Sequence, residues 1–132
     1  MRSRKDKLRA EARRYFANEE SLTKDWYSAH YTLHVSPGVP LASYPPLAEM
    51  RRALDEWLHE MHDSLYNLIC VEWDYCSRRQ DEELQDDIAL AAWLAEILAS
   101  AALKVPLPIG VAVIMVQRDL DRFCGCGQGR PS

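Results

Sequence analysis

Glycine is scarce in this sequence, 5 in 132 residues, and the motifs glycine usually marks are missing with it. There is no glycine-rich phosphate loop and no Gly-x-Ser-x-Gly elbow. His-Glu-x-x-His, a zinc ribbon and an RNA-recognition signature are absent as well. Those absences remove the usual sequence evidence for nucleotide, hydrolase, metallopeptidase and RNA chemistry. No internal repeat recurs. The basic start leads into no apolar segment, so a secretory leader is not expected. No apolar helix reaches the ~20 residues that span a bilayer.

What is present is the composition of a folded domain. Hydrophobic residues make up 48% of the chain and charged residues 27%, enough apolar surface to offset the entropy of ordering it. The length suits a single domain over 1–132. The net charge of −4 is unevenly spread. Arg2, Arg4, Lys5, Lys7, Arg9, Arg13 and Arg14 crowd the first fourteen residues against Asp6 and Glu11, leaving the remainder acidic. A basic arm on an acidic body suits an anionic partner, with Arg9, Arg13 and Arg14 as its candidate contacts. A solvated helix that binds nothing has the same pattern.

Apolar spacing predicts an all-α fold, a bundle of about five helices. A basic amphipathic helix occupies 1–17, with Leu8, Ala12 and Tyr15 on one stripe. A second runs from about Leu22 to His34 with Leu22, Trp26, Ala29 and Leu33 in step. Prolines 37, 40, 45 and 46 make 35–46 a loop. From about 47 to 79, Leu47, Met50, Leu54, Trp57, Leu58, Met61, Leu65, Leu68, Ile69, Trp73 and Cys76 recur at helical spacing and predict one long amphipathic helix. An apolar helical hairpin covers about 81–124, its acidic start complementing the helix dipole. The residues from 125 to 132 read as a flexible tail.

The hairpin segment 88–116 carries only Glu96 and Lys104 as charges. A helix apolar on every side is central in a bundle or sits in lipid. Stripes on the other helices need a cover, which favours the core. Insertion of 88–116 into a membrane surface is the alternative, and there a charge at Val113 would abolish lipid binding without unfolding the protein.

Four groups of residues carry potential chemistry. Glu72 falls in the apolar stripe of the long helix, where an ionised carboxylate requires a partner. All four histidines form helical pairs, His30 with His34 and His59 with His62, and such spacings place two imidazoles on one side of a helix. Glu56-x-x-His59 matches a di-iron half-site in spacing but lies opposite the apolar stripe, whereas such ligands project inward. Tyr27 and Tyr31 lie off their stripe and suggest an aromatic contact surface. Cys124-x-Cys126 invites a zinc site with Cys70 or Cys76, yet the spacing is wrong for structural zinc, and the cysteines read as reduced cytoplasmic thiols with Cys76 in the core.

The sequence therefore predicts a cytoplasmic, non-enzymatic interaction or adaptor module without cofactor that assembles with itself or docks on a larger partner. A peripheral membrane protein is one alternative. The other is a helical enzyme using zinc or iron on the histidine pairs with Glu72.

Overall fold

A computed structural model of the chain describes residues 3–126. Residues 1–2 of the basic segment and 127–132 of the expected tail lie outside the described residues. Eight α-helices and no strand occur among the described residues. Five of these helices have ten to fourteen residues: α1 (Arg4–Ala17), α2 (Glu19–His30), α3 (Leu47–Glu60), α6 (Asp87–Ser100) and α7 (Pro108–Gln117). Three are single turns: α4 (His62–Tyr66), α5 (Tyr75–Arg78) and α8 (Leu120–Cys124).

The helix starts are written locally. Ser3 Oγ accepts from the amide of Asp6, Asn18 Oδ1 from Ser21 and Asp86 Oδ2 from Ala89, each satisfying an amide the helix cannot. Pro46 stands one position ahead of α3, and its carbonyl accepts the amides of Glu49 and Met50.

α7 is the hub. Every residue from Ile109 to Met115 is buried, because α6, α1 and α2 enclose it while α8 packs at its end. That enclosure accounts for its uniformly apolar composition. In α6 Ala91, Ala92 and Ala95 are buried where it meets its neighbours; their small side chains permit close approach of the backbones. Trp26 of α2 is fully buried and meets Trp57 of α3 edge-on, with ring centroids 6.0 Å apart. No helix of the described residues is long and apolar enough to cross a membrane.

The expected single helix over 47–79 is interrupted. It is broken at Met61 (φ −92°, ψ 3°), passes through a π-helical turn at Asn67–Glu72 and stops at Asp74, which is left-handed at φ 57°. Asp tolerates that conformation better than most residues. Arg78 Nε then donates to the freed carbonyl of Trp73 at 2.6 Å. A π turn holds more than 3.6 residues, so it rotates everything after it relative to the stripe. Trp73 stays buried, but Val71 and Glu72 face solvent. A second π turn, Tyr31–Val35, extends α2 into the proline-rich loop.

The four cysteines are not free thiols. Cys70 is bonded to Cys124 and Cys76 to Cys126, each pair with Cα atoms 5.3 Å apart. The start of the expected tail is thus covalently held. Gly125, at φ 72°, supplies the left-handed turn that brings Cys126 back toward Cys76.

Candidate functional site

Three of the six basic residues of α1, Lys5, Arg9 and Arg14, meet groups on the rest of the chain. Lys5 Nζ lies 3.0 Å from the centroid of the Trp93 ring. Arg9 stands 3.8 Å from Glu83, and Arg14 stands 3.8 Å from Asp25 while covering Tyr15. Arg13 is exposed. The basic arm therefore spends part of its charge on the acidic body, a use that its sequence pattern did not distinguish from an external partner.

Two tyrosine–aspartate bonds join helices, α1 to α2 and α5 to α8. Tyr15 Oη donates to Asp25 at 2.6 Å, and Tyr75 Oη donates to Asp121 at 2.7 Å with Arg79 2.5 Å from the other Asp121 oxygen. Burial, then the Asp25 bond, pushes the Tyr15 phenol up to about 12. The Tyr75 phenol is pushed up for the same reasons, burial first and Asp121 second.

The two histidine pairs fall in different surroundings. His30 stacks on Trp26 at 4.8 Å with rings nearly parallel, and its Nδ1 is buried without a hydrogen-bond partner among the described residues. Burial holds its pKa below the ordinary 6.5; His34 pushes the same way and Glu60 opposes. The His34 ring lies 5.4 Å from that of His30, and its Nε2 is 3.2 Å from the carbonyl oxygen of Lys104. His59 and His62 are exposed on the rim of a cleft against α7 and α8. Among the described residues no three His, Cys, Asp or Glu side chains converge as a metal site. The cysteines do gather, as the zinc alternative required, but as two disulfides and not as thiolate ligands.

Glu72 is a correction. It is exposed, not buried, and its Oε2 accepts from Asn67 Nδ2 at 2.9 Å. The cause is the π turn, which straight-helix geometry could not anticipate. Glu72 and Asn67 border a surface groove whose other side is Ile97 and the turn 100–103. A carboxylate that water can reach needs no burial partner.

Tyr27 and Tyr31 are half-buried; Tyr27 packs against the core. Of the six large apolar side chains that reach solvent among the described residues, Tyr66 and Val71 lie elsewhere and four lie just beyond Tyr27 and Tyr31. Leu33, Val35, Val39 and Tyr44 are 43%, 56%, 52% and 50% exposed. Beside them a recess of about 520 Å³ opens between Ala29, Thr32, Tyr44 and Leu107. Sequence reasoning treated 35–46 as a connector, although Val35, Val39 and Tyr44 between prolines were visible as apolar residues in a segment that cannot form a helix. No protein-family model, curated protein or solved structure matches the chain.

Proposed function

We propose that this protein is a non-enzymatic helical interaction module that pairs with a second copy of itself through segment 33–44. The observation that carries this reading is that four large apolar side chains, each more than two-fifths exposed, fall within one short segment formed by the end of the π turn and the loop after it. Scattered exposed apolar residues are ordinary, but a contiguous set marks a contact face. Projections and recess adjoin, so one surface offers both the knob and the hole that a two-fold interface requires. Prolines 37, 40, 45 and 46 restrict the loop beforehand, which lowers the entropy lost on association.

The alternatives draw less support. Membrane insertion of 88–116 would pull Val111, Ala112 and Val113 from the centre of the core. A metal enzyme lacks converging ligands among the described residues. A cytoplasmic location was expected from reduced thiols; with the described cysteines paired, we favour an oxidising compartment.

Hydrogen exchange at two protein concentrations tests the interface. The amides of Val35, Gly38, Val39 and Ala42–Tyr44 should be protected at high concentration and released on dilution. Exchange in this segment that ignores concentration would sink the proposal.

A further inference from the structure

We propose that the cleft between α3, α7 and α8 binds a small organic carboxylate whose apolar body is a single ring or a short chain. The cleft encloses about 310 Å³, at the low end of the ~300–1,000 Å³ range of ligand pockets, which sets the ligand's size. Its floor is apolar, formed by Leu58 and Leu65 on one side and Ile114 and Met115 of α7 on the other. Phe123 closes one end, held edge-on to His62 at 5.2 Å and to Tyr66 at 5.9 Å.

Polar groups converge only at the rim, and their chemistry selects an anion. Arg118 and His59 face the cleft, and Asp55 is the one carboxylate lining it. Asp55 already accepts from Arg118 Nη2 at 2.6 Å. A guanidinium has five N–H donors and this bond occupies one, so the Asp55 pair orients Arg118 and leaves it free to bind a second carboxylate. Both partners are more than half exposed, and exposed ion pairs are weak enough for a ligand to compete with. A cationic ligand would meet only Asp55, with the guanidinium repelling it. His62 acts differently: its Nδ1 lies 3.2 Å from Asp63 Oδ1, and its ring serves as wall beside Phe123.

That wall is tethered. Phe123 immediately precedes Cys124, and the bonds Cys70–Cys124 and Cys76–Cys126 fasten α8 to the segment that follows α4. The cleft is therefore preformed in the oxidised chain. This inference is independent of the face at 33–44.

Two-dimensional NMR of the oxidised, ¹⁵N-labelled protein tests it with benzoate, benzyl alcohol and benzylamine, which share a ring and differ in charge. Benzoate should shift the amides of residues 55–65 and 114–123. It should bind about tenfold more tightly than the alcohol, the scale of one charge-assisted hydrogen bond. Arg118→Gln, at an exposed position, should bring benzoate down to the level of the alcohol, and His59→Gln should cause a smaller loss. Equal affinity for the three probes, shifts centred elsewhere, or an Arg118→Gln variant that binds benzoate undiminished would overturn the proposal.

Discussion

His30 shows how a single side chain can tie stability to pH. In the unfolded chain its imidazole titrates near the ordinary 6.5, whereas in the fold burial holds it lower. The folded state thus disfavours the proton. The contribution is present above 6.5 and is lost as pH falls through the folded value. Between about pH 7.5 and about pH 5 the urea midpoint should drop, and His30→Gln should flatten that part of the curve. The tyrosines act at the other extreme. Tyr15, raised to about 12 from 10, stabilises the fold below pH 10, and that contribution is lost as pH rises through the folded value; Tyr75 follows in the same direction. Tyr15→Phe should flatten the alkaline limb and cost about 0.5–1.5 kcal/mol at neutral pH, the usual net worth of a hydrogen bond. Little of this was legible beforehand. Tyr15 was read correctly as an apolar-stripe residue, but its partner Asp25 sits on another helix, and sequence periodicity carries no information about which helices meet. The spacing of His30 and His34 was visible in the sequence; that His30 stacks on Trp26, one turn earlier on its own helix, was not read from it.

At the scale of elements, the apolar stripes of the helices were readable and their interruptions were not. Of the stripe from Met50 to Leu65, Met50, Leu54, Trp57 and Leu65 are buried and Leu58 and Met61 are half-buried against the core. Beyond Asn67 the same arithmetic misplaces Glu72, since it assumes 3.6 residues per turn where the backbone takes a π turn. Asp74 offers a direct check. Asp74→Gly should leave stability unchanged or raise it, whereas Asp74→Val should lower it by about 1–2 kcal/mol, the cost of forcing a side chain into the left-handed region. The disulfides join positions 54 and 50 residues apart. Four cysteines allow three pairings, so sequence alone could not assign them. Reduction, or Cys70→Ser with Cys124→Ser, should cost about 2–4 kcal/mol by freeing the unfolded chain. Calorimetry of oxidised and reduced protein reads the loss, and a transition unmoved by reductant would contradict the pairing.

The whole molecule is organised around α7. Its composition left two environments open, core and lipid, because both accept a helix that is apolar all round. In the fold the surrounding helices cover α7, and Val113 is fully buried among protein side chains. A charge there should unfold the protein, since an unpaired buried carboxylate costs several kcal/mol. Loss of the cooperative transition in Val113→Asp is the expected result, and an intact fold would argue that α7 is free to leave the bundle. The loop at 33–44 belongs to this scale as well. Its apolar residues were plain in the sequence, but their exposure depended on the course of the chain after α2.

The pairing of two copies through segment 33–44 is the property on which the proposed role depends. Light scattering across a size-exclusion peak measures this directly. The oxidised wild type should show twice the 15.2 kDa of the chain, and Leu33→Ser with Val39→Ser should return it to a single chain without loss of helicity. A wild-type peak that stays at one chain's mass at every concentration, or a dimer indifferent to those two substitutions, would contradict it.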